Sequence, residues 1–105
     1  GNFEYYNLAN DVEIGIPSDF NLYQNYPNPF NPTTKIDFTL PVDSKVSLII
    51  YDVTGREAVI LINNEIRKAD YYTVAFNGSS LSSGVYFYKI ISDKYVQTKK
   101  MMLIK

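Results

Sequence analysis

The chain has 105 residues and contains no cysteine, no histidine and no tryptophan. Without cysteine and histidine there are no disulfide bonds, no zinc ligands of the usual types, no thiol nucleophiles and no histidine-based catalytic triads. The formal net charge of −1 indicates no basic surface for nucleic acid. No apolar run reaches the length of a membrane span, so we expect no stable insertion into a membrane. The composition predicts a domain without a cofactor or metal site.

Aromatic side chains are abundant, with ten tyrosines and six phenylalanines. Tyrosine and β-branched residues favour strands, and 46% of the residues are hydrophobic. A chain of this length is typical of one domain with a single core. The sequence thus indicates a small aromatic-rich β-domain.

The first 19 residues lack clear periodicity, with Phe3, Leu8 and Val12 scattered among Asn, Asp and Glu. We interpret residues 1–19 as a linker or tether and residues 20–105 as the domain. At the start of the domain, residues 20–24 alternate apolar and polar side chains and predict one short strand.

From Thr34 onward, alternation with a period of two recurs in short segments separated by turn residues. This pattern predicts an all-β fold, an immunoglobulin-like antiparallel β-sandwich of about seven strands. The polar residues 63–65 are expected to lie outside the strands. The remaining strand segments are 35–40, 45–51, 57–62, 71–76, 85–91 and 95–104. The expected core residues are Phe38, Leu48, Ile50, Val74, Phe76, Tyr86 and Tyr88.

Two glycines lie in strong turn signals. Gly55 closes the segment Asp-Val-Thr-Gly at 52–55, and we expect it to supply the positive φ of a hairpin turn. Gly84 follows two serines and opens the most apolar strand. We expect a positive φ or a close backbone approach there.

A block of three prolines precedes the β-rich region. Pro27, Pro29 and Pro32 each fix φ, remove a backbone donor and disfavour helix at the preceding residue. The block is therefore extended or turn-like, and it is either a rigid loop that closes one end of the sandwich or a recognition element. In the structural interpretation, Tyr26 and Phe30 are packing anchors.

The ordered motifs resemble the type A C-terminal sorting domain of the type IX secretion system of Bacteroidetes and their relatives. The resemblance covers residues 20–105, and it departs from the common family pattern at Asp70 and Asn77, both in expected turns. The immunoglobulin-like domain of flagellar hook-capping proteins is similar at the same motifs. The blocks that support the resemblance are LYQNYPNPFNPTT at 22–34, IDFTLP at 36–41, VSLIIYDVTGR at 46–56, GVYFYK at 84–89 and KKMMLIK at 99–105.

The resemblance implies a secretion signal that directs an upstream cargo domain across the outer membrane of a Gram-negative bacterium. The implied partners are an outer-membrane translocon and a sortase-like peptidase that cleaves within residues 1–19. The implied route is transit through the periplasm to the cell surface or the extracellular space. The domain itself is then not an enzyme and has no catalytic residues. The candidate recognition residues are Tyr26, Pro27, Asn28, Pro29, Phe30, Asn31, Pro32, Gly55, Gly84, Tyr86, Lys99, Lys100 and Lys105.

Two alternatives stay open from the residues alone. Exposed tyrosines on a sandwich face stack on sugars in some accessory modules, so a non-catalytic carbohydrate- or protein-binding module is the rival function. Lysines at 94, 99, 100 and 105 protect an edge strand or belong to a strand that is presented to the translocon. The tyrosines considered for stacking are Tyr71, Tyr72, Tyr86, Tyr88 and Tyr95.

Overall fold

The computed structural model describes residues 15–105, which form seven strands and no helix. The predicted all-β, immunoglobulin-like sandwich of about seven strands is confirmed. The first and last strands are shorter than predicted. The strands are β1 (Asn21–Leu22), β2 (Thr33–Leu40), β3 (Ser44–Tyr51), β4 (Glu57–Arg67), β5 (Asp70–Asn77), β6 (Gly84–Ile91) and β7 (Val96–Leu103).

The strands form two antiparallel sheets with the orders β1-β2-β5 and β4-β3-β6-β7. In constant-type immunoglobulin domains the fourth strand lies beside the fifth. Here β4 instead pairs with β3, at the edge of the larger sheet, because a tight turn at residues 52–56 returns the chain directly. The last strand, β7, forms the opposite edge of the same sheet.

The core lies between the sheets because each strand alternates buried and more exposed residues. In β3, Val46, Leu48 and Ile50 are fully buried, and each such side chain stabilises the fold by about 1.5–3 kcal/mol. Val74, an expected core residue, is only half-buried on the edge strand β5. The other expected core residues are buried, and these are Phe38, Leu48, Ile50, Phe76, Tyr86 and Tyr88.

The prediction that residues 63–65 lie outside the strands is wrong, because β4 continues through them to Arg67. The register between β3 and β4 shifts at several points, and one extra β4 residue lies between Ile62 and Glu65. Asn64 adopts a positive φ of 54°, and its amide donates to the Ser47 hydroxyl at 3.0 Å. Asparagine tolerates this conformation, so the polar residues form a β-bulge and not a loop.

The β3–β4 turn is held by the carboxylate of Asp52. It accepts hydrogen bonds from the amides of Thr54 at 2.8 Å and Arg56 at 3.2 Å. The hydrogen bond from the Thr54 hydroxyl is the main reason that the pKa of Asp52 is lowered. Gly55 has a φ of 87°, so its predicted positive φ is confirmed.

Candidate recognition surface

The proline block forms the loop of the hairpin that joins β1 to β2. Tyr26 pairs with Lys35 at its base, with backbone hydrogen bonds of 3.0 and 2.9 Å. The peptide bonds that precede Pro27, Pro29 and Pro32 are all cis. The loop thus begins and ends on the smaller sheet, beside the start of β2.

The same loop contacts the free edge of β7 in the larger sheet. Phe30 forms a parallel bridge with Leu103. Its amide donates to the carbonyl of Met102 at 2.9 Å, and its carbonyl accepts from the amide of Ile104 at 2.9 Å. The side-chain oxygen of Asn28 accepts from the amide of Met102 at 3.0 Å. The proline loop therefore covers the last part of the β7 edge.

The ring of Phe30 fills the space between the sheets at this end, where it is only 1% exposed. It lies 5.9 Å from the ring of Phe76, at an interplanar angle of 59°. A Cβ atom on Gly78 would lie 3.3 Å from the Phe30 ring and 3.2 Å from Leu103. The sequence around Gly78 indicates only a turn. Gly78 is also a close packing position, which no local pattern could indicate because its neighbours are distant in sequence.

A buried polar cluster fixes the start of the loop. The Tyr88 hydroxyl donates to the carbonyl of Tyr23 at 2.7 Å and accepts from the amide of Asn25 at 2.8 Å. The Asn25 side chain donates to Thr34 at 3.0 Å and to Pro27 at 3.2 Å. Burial raises the pKa of Tyr88 to about 12. Asn25 is only 2% exposed, and it is a structural member of the motif that the candidate residues did not include.

Two glutamines connect β1 and the residues after it to β7. The side-chain amide of Gln24 donates to the carbonyl of Lys100 at 2.7 Å. The side-chain oxygen of Gln97 accepts from the amide of Leu22 at 3.2 Å. The edge of β7 is thus held by side chains in its middle and by the proline loop near its end.

The loop also presents exposed side chains. Tyr26 is 82% exposed, so its expected role as a packing anchor is wrong. It pairs with Lys35 through backbone atoms alone, and its ring points away from the core. Of the two predicted packing anchors, only Phe30 is buried in the core. Pro27, Asn28, Pro29 and Asn31 are exposed, and Pro32 is half-buried.

The exposed parts of two motif blocks meet in one shallow cavity of about 150 Å³. Asn28 and Pro29 come from the loop, whereas Lys100 and Met102 come from β7. Val85 of β6 completes the cavity floor. Residues from two motif blocks that are distant in sequence therefore form a single surface.

The start of β6 lies at the same end of the sandwich. Gly84 has a φ of 151°, so the first of the two expected alternatives, a positive φ, holds. No atom lies within 4 Å of the position that a Cβ atom would take, so the second, a close approach, does not. The Tyr86 hydroxyl donates to the carbonyl of Ser82 at 2.7 Å, as in the tyrosine corner of immunoglobulin-like domains. The amide of Lys105 donates to Ser83 at 3.0 Å. These contacts join the end of the chain to the turn that precedes β6.

The clustered lysines face different directions. Lys99 pairs with Tyr88, so its side chain lies on the inner side of β7 and is half-buried. Lys100 pairs with Phe87 on the outer side, whereas Lys94 lies exposed in the β6–β7 turn. An inward charge on an edge strand is a known protection against edge pairing. This geometry favours the protective interpretation for Lys99 and leaves Lys100 available to a partner.

The tyrosines considered for sugar stacking do not form one platform. Tyr86 and Tyr88 are 8% and 0% exposed and belong to the core. Tyr72 stacks on Phe38 at 5.1 Å, and Tyr95 stacks on Phe20 at 4.6 Å. Of the five, Tyr71 alone is more than half exposed, at 54%.

Residues 15–105 contain no group of three or more histidine, cysteine, aspartate or glutamate side chains that could hold a metal ion. Within that range no helix is long and apolar enough to cross a membrane.

The chain belongs to the secretion system C-terminal sorting domain family, whose model matches residues 24–105. This is a sorting signal of type IX secretion. Such a signal implies secretion to the cell surface or the extracellular space in Bacteroidetes. Comparisons with curated proteins and with solved structures gave no match.

Proposed function

We propose that the export machinery recognises the folded end of the sandwich where the proline loop meets β7. The observation that supports this most directly is the parallel bridge between Phe30 and Leu103. Because of this bridge, motif residues 22–34 and 99–105 form one surface with a fixed geometry. Neither block has this geometry alone, so the proposed signal is the folded domain and not a linear peptide.

In this proposal, residues 20–105 are the signal domain and residues 1–19 are the tether to a cargo domain. The domain passes through the periplasm and engages an outer-membrane translocon. A sortase-like peptidase then removes it by cleavage within residues 1–19. The domain has no catalytic role. Membership of the sorting-domain family supports the sorting role on which this proposal rests.

Export of a reporter tests the proposal. The full chain is fused to the C-terminus of an inert reporter in a host that has this secretion system. Tyr26→Ala and Met102→Ser change side chains that are 82% and 42% exposed, so the melting temperature is expected to stay near that of the wild type. Combined, they are expected to lower surface reporter by about tenfold, as for loss of an interface hot spot.

The matched control changes exposed residues elsewhere on the domain. Val42→Ser and Tyr71→Ala alter side chains that are 53% and 54% exposed, and export is expected to be unchanged. Wild-type export of the Tyr26→Ala, Met102→Ser double variant would contradict the proposed surface. Equal loss in both double variants would show that export depends on general properties of the domain.

A further inference from the structure

The outer faces of the two sheets differ strongly in polarity. Paired residues on neighbouring strands lie on the same face of a sheet. On the smaller sheet, the outward residues Lys35, Asp37 and Thr73 are polar and exposed. On the larger sheet, β3, β6 and β7 present an apolar outer face. Its main side chains are Ile49, Tyr51, Val85, Phe87, Ile91 and Met102.

The larger sheet is therefore apolar on both faces, and β6 shows this directly. Tyr86, Tyr88 and Ile90 face the core, whereas Val85, Phe87 and Ile91 face outward and are half-buried. A sheet with one face in water normally alternates apolar and polar residues. Contiguous apolar surface of this kind marks interaction sites.

A shallow, open groove lies on this face. It measures about 280 Å³ and lies beside the β3–β4 turn. Tyr51, Val53 and Phe87 provide apolar walls, and Lys89 and Asp52 lie in the same lining. Val53 is 67% exposed in the absence of a partner. The groove offers apolar contact to a partner. Its carboxylate is already bonded within the β3–β4 turn, whereas Lys89 makes no ion pair within residues 15–105.

The charges on the face indicate the chemistry of the partner. Lys89 pairs with Ile49 and Lys100 pairs with Phe87, so both cations stand among apolar side chains. Within residues 15–105, neither makes a salt bridge, since the pairs found there involve Arg56 and Arg67. Two carboxylates lie toward the β4 side of the face. Glu57 pairs with Tyr51, and Asp52, in the groove, accepts hydrogen bonds from the amides of Thr54 and Arg56.

A second copy of this chain fits the face poorly. In a two-fold, face-to-face arrangement about an axis along the strands, Glu57 of one copy would approach Lys100 of the other. Because β3 and β6 lie at the centre of the sheet, the two Lys89 side chains would also lie close together in an apolar interface. Like charges brought together at an interface cost several kcal/mol. The face is better matched by a different protein that supplies carboxylates.

We propose that the outer face of the β4-β3-β6-β7 sheet docks a partner protein whose contact surface is apolar and acidic. This inference rests on the proposed function, since the partner is taken to be a component of the export machinery. The face continues into the cavity formed by the proline loop and β7, because Val85, Lys100 and Met102 belong to both. One partner can thus contact both regions.

Site-specific photo-crosslinking in the secreting host tests the inference. The full chain carries p-benzoylphenylalanine in place of Phe87, or in place of Thr73 on the other sheet as the control. The Phe87 position is expected to give a crosslink to another protein that the Thr73 position does not give. Lys89→Glu with Lys100→Glu is expected to reduce this crosslink about tenfold. Lys89→Arg with Lys100→Arg is expected to retain it.

Each other outcome overturns the inference in a distinct way. A crosslink between two copies of the chain assigns the face to self-association. A crosslink no stronger than that of the control shows that the face is not a docking surface. If the Glu variants melt like the wild type and still give the full crosslink, the contact surface of the partner is not acidic. If the Glu variant is exported normally while Tyr26→Ala, Met102→Ser is not, this inference fails and the proposed function stands.

Discussion

Phe30 and Leu103 lie side by side in parallel register, although 73 positions separate them in the chain. The backbone of Phe30 bonds to both neighbours of Leu103, at 2.9 Å in each case. This relationship means that the end of the chain is part of the fold. Deletion of residues 101–105 would remove the buried side chains of Met101 and Leu103. We expect that deletion to unfold the domain and to block export for that reason alone, so point variants are the sharper test.

Phe30→Ala is expected to lower the free energy of unfolding by about 3–5 kcal/mol, the cost of deleting a buried aromatic ring. Phe30 is 1% exposed, so removal of its ring leaves a cavity between the sheets. Urea unfolding followed by tyrosine fluorescence measures the change. Tyr26→Ala in the same loop is the control and should stay within about 0.5 kcal/mol of the wild type. Similar losses for both would mean that the loop packs differently.

Gly78→Ala is expected to destabilise the domain by about 1–3 kcal/mol, the range for overpacking in a core. The added methyl group would lie 3.2 Å from Leu103 and 3.3 Å from Phe30. Leu103→Val should partly relieve the clash, so a double-mutant cycle between positions 78 and 103 should show coupling above about 0.5 kcal/mol. Strict additivity would contradict the close packing of Gly78 with the end of the chain.

Gly84→Val is expected to destabilise by more than about 1 kcal/mol through the backbone alone. The φ of 151° is disfavoured for residues with a Cβ atom, and the surrounding space is open. Gly84→Ala should therefore cost nearly as much as Gly84→Val. The exposed Gly15, whose φ lies outside this disfavoured range, is the control, and Gly15→Ala should have little effect. Thermal unfolding measures all three, and a melting temperature unchanged by Gly84→Ala would show that the turn does not require glycine.

Tyr88→Phe is expected to lower the free energy of unfolding by about 1–3 kcal/mol, because it leaves the buried amide of Asn25 without its acceptor. The pH dependence provides a second measurement. Burial raises the pKa of Tyr88 from 10.0 to about 12. As pH rises from 10 to 12, the unfolded chain loses this proton while the folded chain keeps it. The stabilising contribution of the neutral hydroxyl is thus present below pH 10 and declines through this window.

The Tyr88→Phe variant lacks this titrating group. The difference in unfolding free energy between wild type and variant should therefore shrink as the pH rises above 10. Urea unfolding at several pH values between 8 and 11.5 gives the comparison. A constant difference across the range would mean that Tyr88 has its ordinary pKa in the folded state.

The number and approximate position of the strands, most of the core and the turn glycines could be predicted from the sequence. Alternation with a period of two is local, so the buried faces of β2, β3 and β6 followed directly from the pattern. The positive φ at Gly55 and Gly84 followed from turn composition. The ordered motifs also indicated the family, because their identity and order are properties of the sequence.

Which motif residues pack in the core and which face solvent depends on contacts between distant parts of the chain. Tyr26 and Phe30 stand four positions apart in one loop, yet the first is exposed and the second is buried. The difference arises because Phe30 meets β7 and Gly78, which are distant in sequence. The bulge at Asn64 likewise depends on the partner strand β3. Long-range pairing fixes these positions, and a local pattern contains no information about the partner strand.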